Sequence, residues 1–582
     1  MQLPEIKFHN SVVTLPDFKD EPVFYDIESG GLYTEPRLFQ FYCPNIDEAI
    51  HIVDVAPSGY EDFDYEIELE RAKRYIPTIW TIAYNSSYDH GTLNISPKKT
   101  DDLFYLVKSA YPEYQRFGLA EVTGKYPTTK GLYGDMDKKA LQKAGFKPGA
   151  YLSSEQITYA ATDVLALALL WEDDKIQRVR EHNLSYKVDM ESQRLALIYQ
   201  QNPHIVDRDM RDKMLIEAQL EVDHYKALLP ATLNVNSYVQ VRKHLNTTES
   251  DKTALAEMAT SNHPLAKDAD AIRNLKKFTK RVSYLTKLKY DTMVTKFNAA
   301  GAVSGRFTSS GGDLNNGFNA QQIPRMFQKI FKQPATIDGI DTVVIGADYA
   351  TLELRLAAAI FEDHTMYKQL KNGEDIHTTM AQVVTGKEMA PDGKLIDTID
   401  GKYEYLTTED RSKAKLTNFG FVFGMSAVAF VNYAMTSYGL RYTIEEAKKL
   451  RGKYFGMYKD IARYHNWIWN NYKKSGFVVE TALGRRMKPK LGTDAINLPV
   501  QGTGAETTKL GLAELVKRDN EALKYIFSVV HDAIYLRVPR EEVDYWSKVL
   551  EESMLEGWKQ ISQRPLMKFN DIPIMADVEV IL

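Results

Sequence analysis

The chain has 582 residues, 44% of them hydrophobic and 26% charged, with a formal net charge of -5; this is room for roughly four units of ordinary domain size. Slight acidity excludes a uniformly basic nucleic-acid coat without excluding local basic patches. No run approaches about 18 consecutive apolar residues, and no basic-then-apolar segment opens the chain, so neither a membrane span nor an export signal is expected. The lone cysteine, Cys43, leaves no internal disulfide and no cysteine-based zinc site, which suits a reducing cytoplasm.

In chain order, Glu21–Glu28 (EPVFYDIE) is strand-like, and its period of two puts Asp26 and Glu28 on one face. Taken alone, that pair would pass for an exposed strand face. TIWTIAYNSSYDH carries Asn85 and Asp89, four apart and shortly after an apolar run. LSSEQITYAATDVLALALLW opens on a Ser153/Ser154 cap signal and continues as an amphipathic helix, with Tyr159 and Asp163 at i and i+4 on one face. The order D-x-E, N-x-x-x-D, Y-x-x-x-D is informative. Four carboxylates from separate elements (Asp26, Glu28, Asp89, Asp163) can hold two divalent cations ~3.5–4 Å apart, the geometry for in-line phosphodiester hydrolysis, with Tyr159 available to orient water. The pattern resembles the DEDDy family of 3′–5′ exonucleases.

Lys187–Tyr290 reads as helical and strongly charged. Within it, RNLKKFTKRVSYLTKLKY has no acidic residue. Leu275, Phe278, Val282, Leu285 and Leu288 keep an apolar stripe, which leaves Lys276, Lys277, Lys280 and Arg281 as a surface that can follow duplex phosphates. Gly301–Pro324 should be loop. Its Arg306 and the amides of Asn319, Gln321 and Gln322 suit the minor-groove acceptors present on every base pair. In Val343–Arg355 (VVIGADYATLELR), an apolar strand hands over to a helix, with Asp348 at the rim. Further on, Arg411, Lys415, Phe419 and Phe423 recur every four residues in DRSKAKLTNFGFVFG, two cations leading one stripe. Asn497 and Gln501 are four apart in AINLPVQG, and LGRRMKP exposes Arg485 and Arg486 as candidate phosphate contacts. YIFSVV and AIYLRV are separated only by His531-Asp532, a poor choice for a two-residue hairpin turn, which normally needs Asn-Gly or Gly.

TSSGG…NAQQIP, DYATLELR, RSKAKLTNFGFVFG, NLPVQGTGAE and VVHDAIYL follow the order found in family A DNA polymerases, the relatives of bacterial DNA polymerase I. With the upstream exonuclease pattern, the resemblance covers almost the whole chain. It implies an α/β multidomain fold: an RNase H-like exonuclease domain (1–185), then a right-hand polymerase with thumb (186–300), palm (301–365), fingers (366–465) and the rest of the palm (466–582). It leaves no room for a separate 5′ nuclease domain, a layout similar to compact phage replicative members. The expected activity is template-directed DNA synthesis with proofreading.

The same resemblance implies roles. Asp348 and Asp532, with Tyr349 beside them, would bind two metals. Arg411, Lys415 and His377 would hold the triphosphate, with Lys415 as proton donor to pyrophosphate. Phe419 and Phe423 would stack near the nucleotide, and Glu353 would block a ribose 2′-hydroxyl. His531, Asn497, Gln501, Arg306, Asn319, Gln321, Gln322 and the two arginines Arg485 and Arg486 would touch DNA. Two Mg²⁺ are expected at each site, with Mn²⁺ as the alternative; the expected partners are primer–template DNA and dNTPs, for a monomer in the cytoplasm (the host's, if phage-encoded). Three positions depart from the family pattern. Ala533 replaces the third acid of H-D-E. Phe423 lacks the usual tyrosine hydroxyl, so Glu353 needs another partner. Thr493 stands where an arginine usually contacts duplex. The rival readings are a 3′–5′ exonuclease whose C-terminal half only binds DNA, and a replication scaffold with decayed sites.

Overall fold

A computed structural model describes residues 3–581 apart from 60–63, 115, 138–139, 142–143, 260, 262 and 397–404. In the N-terminal part six strands lie in the order Ile6–His9, Asp47–Asp54, Pro36–Cys43, Pro22–Ser29, Trp80–Ala83, Thr100–Asp102. Pro36–Cys43 runs antiparallel to both neighbours, whereas Pro22–Ser29, Trp80–Ala83 and Thr100–Asp102 are mutually parallel. Every residue of Pro36–Cys43 is buried, as a central strand covered on both faces requires. One face packs Phe24, Leu38 and Ile82 against Ala160, Val164 and Leu167 of helix Ser154–Trp171. The other packs Tyr25, Phe39 and Phe41 against Leu69, Ala72 and Ile76. The Ser153 hydroxyl accepts from the Gln156 N–H and the Gln156 side chain accepts from the Ser153 N–H, a capping box that starts the covering helix where the sequence places it.

A second, antiparallel sheet forms in the C-terminal part. Strand Ile340–Tyr349 pairs with Ala533–Pro539 on one side and Ala576–Ile581 on the other, Ile526–Val530 lies outside Ala533–Pro539, and Ala335–Ile337 folds back on its start. Helices Gly492–Arg518 and Val543–Ser562 pack on each other behind it. They approach so closely that a Cβ on Gly557 would stand 2.6 Å from the backbone nitrogen of Gly511, which only glycine tolerates. One core joins this sheet to helices between residues 352 and 468.

Helices Arg208–Ala227 and Ala266–Lys287 pack along one another over a smaller core that includes Leu245, Ile272 and Leu275. Among the described residues, no helix is long and apolar enough to cross a membrane.

Helix Leu184–Tyr199 and segment 296–306 tie the two sheets together. Asp189, 1% exposed, is bound by Arg485 and, at 2.5 Å, by the Lys509 ammonium, which also donates to the Gly305 carbonyl at 2.6 Å. Lys108 of the N-terminal part donates to the Ala300 and Ala302 carbonyls at 2.6 and 3.1 Å. Asn298 donates to Asn85 Oδ1 at 2.6 Å.

Candidate active sites

Strand Pro22–Ser29 turns Tyr25 and Ile27 inward and leaves Asp26 and Glu28 together on the other face. Asp163, one turn after Tyr159 on the covering helix, meets them: ligand oxygens of Asp26, Glu28 and Asp163 lie within 4.8 Å of one another. Asp89 stands in the first turn of helix Ser86–Leu93, buried, with no side-chain hydrogen-bond donor among the described residues. Burial first and repulsion between neighbouring acids second hold Asp26, Glu28 and Asp89 above the usual carboxylate range. For Asp26 the neighbour is Asp163; for Glu28 and Asp89 it is first Asp26. A cluster of this kind is unfavourable without a counter-charge, and an all-oxygen donor set fits Mg²⁺ or Mn²⁺.

Tyr159 is buried at this cluster, 6.4 Å from Tyr133 between ring centroids. The Tyr133 hydroxyl donates to Asp163 Oδ1. Sequence reasoning missed Tyr133, because no fixed spacing links position 133 to the helix it reaches.

The second site grows from the C-terminal sheet. Asp348 is the penultimate residue of strand Ile340–Tyr349, and the helix after it is capped by Thr351 in a left-handed conformation, φ 51°. Asp348 is therefore no helix cap; it stays on the strand. Val530 pairs with Ala533, so His531-Asp532 is a true two-residue turn, with His531 at φ 57°. That conformation is uncommon for a non-glycine residue and sets the turn at the strand end. Ala347 pairs with Ile534, which brings both aspartates to the same end of adjacent strands. Ionised Asp348 and Glu353 repel Asp532 and, after burial, help raise its pKa; Arg306 partly offsets them.

An open cleft of ≈ 380 Å³ here is lined by Arg306, Glu353, His377, Lys415, Phe419 and Asp532, together with His531 and Tyr349. Lys415 and Phe419 come from helix Thr408–Val422, and His377 from helix Ile376–Thr385. The His377 ring lies 5.6 Å from that of Phe419, and its Nδ1 is 2.9 Å from the Asn418 amide. Burial holds His377 down to about 4, hence neutral. Arg411, one turn before Lys415, pairs at 2.5 Å with Asp375. Phe423 ends the helix, and its carbonyl accepts from Asn497 at 3.5 Å. Tyr349 turns its ring away from the cleft into the core, donating to the Met554 carbonyl at 2.7 Å.

The other expected DNA contacts lie on several separate elements. Gln321 donates toward the Val529 carbonyl at 3.4 Å, Asn319 caps the short turn Ala320–Gln322 that contains it, and Gln322 is exposed. Gln501 is half-buried on helix Gly492–Arg518. Lys277 and Lys280 are exposed on helix Ala266–Lys287, with Lys276 and Arg281 half-buried.

Arg485 corrects an expectation. It is 2% exposed and bound to Asp189, so it braces the interior instead of facing phosphate. Its neighbour Arg486 stays exposed, 3.5 Å from Glu480. A further acid was missed: Asp577 pairs directly with Asp348 across the sheet and, after burial, raises its pKa most. The alternation of acids in ADVEV was the available signal.

Residues 222–580 match the family model described as DNA polymerase family A. The chain belongs to DNA polymerase family A. Within that family, it is 34% identical over 296 residues to DNA polymerase I of Aquifex aeolicus, covering 50% of this chain and 47% of the relative. It is 23% identical over 452 residues to DNA polymerase I of Streptococcus pneumoniae, covering 73% of this chain and 49% of the relative. The chain thus spans about half the length of these two curated relatives. A solved structure, described as the POL domain of Pol1 from M. smegmatis in complex with DNA primer-template and dNTP, superposes with a TM-score of 0.70 at 17% identity, covering 96% of this chain and 94% of that one. The family A polymerase fold therefore extends over nearly the whole chain.

Proposed function

We propose that this family A member is a template-directed DNA polymerase that extends a primer 3′ end and removes mispaired termini at a separate 3′–5′ exonuclease site. The carrying observation is the C-terminal cleft, where Asp532, Lys415, Phe419, His377 and Glu353 converge from four separate elements. A protein that only held DNA would not need that convergence beside Asp348. In this reading residues 1–185 form an RNase H-like exonuclease domain, 186–300 a thumb, 301–365 and 466–582 the palm, and 366–465 the fingers. The three antiparallel strands Asp47–Asp54, Pro36–Cys43 and Pro22–Ser29, followed by two parallel ones, support the first assignment.

Asp348 and Asp532 would hold divalent cations at the polymerase site, and Asp26, Glu28, Asp89 and Asp163 at the exonuclease site. Bound there, such cations supply an activated hydroxyl or water nucleophile and neutralise charge on the leaving oxygen. The protein's own residues do the rest. Lys415 and Arg411 bind the triphosphate, and the Lys415 ammonium donates a proton to departing pyrophosphate. Neutral His377 offers one ring N–H to the phosphates. Phe419 stacks on the nucleotide, and Glu353 occupies the space that a ribose 2′-hydroxyl would need. At the other site Tyr159 orients the attacking water.

Primer extension and 3′ degradation, measured for wild type, Asp348→Ala and Asp26→Ala, test the whole proposal. Extension should vanish only in Asp348→Ala and degradation only in Asp26→Ala. Degradation without any extension by wild type would favour the nuclease-only reading.

A further inference from the structure

Helix Lys459–Asn471 buries Ile461, His465 and Ile468 and sends tryptophans out on both flanks of that stripe. Trp467 is 53% exposed and leans on Tyr464 and Phe477. Trp469, 45% exposed, lies on the opposite flank. There its ring rests on the backbone of Gly492, where a Cβ would collide with it, and meets Tyr472 edge to face at 5.5 Å. Leu491, 60% exposed, extends the apolar floor. The rim is cationic: Lys473 stands 5.6 Å over the Tyr472 ring, and Lys490 is exposed. The nearest acid in sequence, Asp494, is engaged in accepting the Lys490 and Leu491 N–H groups.

Position gives this platform its meaning. Gly492 precedes Thr493, which stands where the family pattern has an arginine against DNA. Thr493 and Ile496 pack on Gly424, the residue after Phe423. His465, on the same helix as Trp469, hydrogen-bonds the Val422 carbonyl at 3.0 Å. The platform therefore abuts the end of the helix that lines the cleft.

We infer that Trp469 is a stacking platform for unpaired DNA, the single-stranded template just outside the polymerase cleft. An exposed indole face rimmed by lysines fits a base and its phosphates, and it is available to a base only when that base is unpaired. The inference rests on the polymerase reading above and adds a binding site to it.

The test uses full-length protein and two labelled primer–templates with the same duplex, one with a single-nucleotide 5′ template overhang and one with eight nucleotides. Wild type should bind the longer overhang more tightly. Trp469→Ala should lose about 5- to 100-fold in affinity for it, with the short overhang unaffected, and Trp469→Phe should recover most of the loss. Trp467→Ala, on the other flank, should behave as wild type. Unchanged long-overhang binding by Trp469→Ala, or an equal loss on both substrates, would overturn the assignment. Single-nucleotide extension by wild type on the short substrate keeps the two readings apart: its absence sinks the polymerase proposal, and its presence with an indifferent Trp469→Ala sinks only this one.

Discussion

Arg306 donates from Nη2 to Oε1 of Glu353 at 2.7 Å, and both side chains line the C-terminal cleft. The loop before the sheet thus gives Glu353 a partner, which the phenylalanine at position 423 led us to expect from elsewhere. If Glu353 excludes ribose, Arg306 holds it in place. Arg306→Gln should reduce the preference for deoxy- over ribonucleotides by about tenfold, ~1.4 kcal/mol, measured as the ratio of kcat/KM values. Glu353→Gln should do the same, and the double variant should lose little more, as expected for residues acting as a pair. An unchanged ratio with a uniformly slower enzyme would assign Arg306 to DNA alone.

The hydroxyl of Tyr133 fixes one oxygen of Asp163 in the N-terminal acidic cluster. Tyr133→Phe keeps the ring and its packing but removes that hydrogen bond. Hydrolysis of a single-stranded oligonucleotide from its 3′ end should slow by about tenfold, the scale of one hydrogen bond to a charged group, while primer extension stays at the wild-type rate. Wild-type hydrolysis by the variant would reduce Tyr133 to a packing residue.

Asp189 is a buried anion that binds both Arg485 and Lys509 directly. Removing it takes away the anion that both buried cations bind directly and leaves Glu506 to balance the two, so Asp189→Ala should destabilise the protein by about 3–5 kcal/mol. Arg486→Ala, one residue after Arg485 but at the surface, should change stability little. Chemical denaturation of the two variants makes the comparison; equal stability would mean that water reaches the cluster.

Burial holds His465 down to about 4, below its ordinary value of about 6.5. The unfolded chain therefore binds a proton in this window that the folded protein refuses. Stability contributed by neutral His465 is complete above about pH 6.5 and is lost as the pH falls toward 4, about 3 kcal/mol across the window. His465→Gln retains a donor for the Val422 carbonyl without the titration. Its unfolding midpoint should fall less than that of wild type between pH 7 and pH 4.5; parallel falls would refute the assignment.

The elements that sequence made legible were those where local rules suffice. Alternation placed Asp26 and Glu28 on one strand face, helical spacing put Tyr159 with Asp163 and Lys415 with Phe419, and a poor turn dipeptide marked Asp532. What escaped depends on contacts between distant segments. Nothing local distinguishes Arg485, neutralised inside by Asp189, from Arg486 beside it at the surface. Tyr133 and Asp577 reach their carboxylate neighbours only through the tertiary fold, and the Arg306–Glu353 pair joins positions 47 residues apart.

Lys108 closes on two carbonyls of the segment that leads to Arg306, and Asn298 from the same segment reaches Asn85, four residues before Asp89. A genetic cut near residue 185, meant to yield two independent halves, would bare an ammonium on one fragment and carbonyls on the other. If the amino-terminal acids act as proposed, their function is therefore better removed by substituting them in place, with the amino-terminal scaffold kept attached.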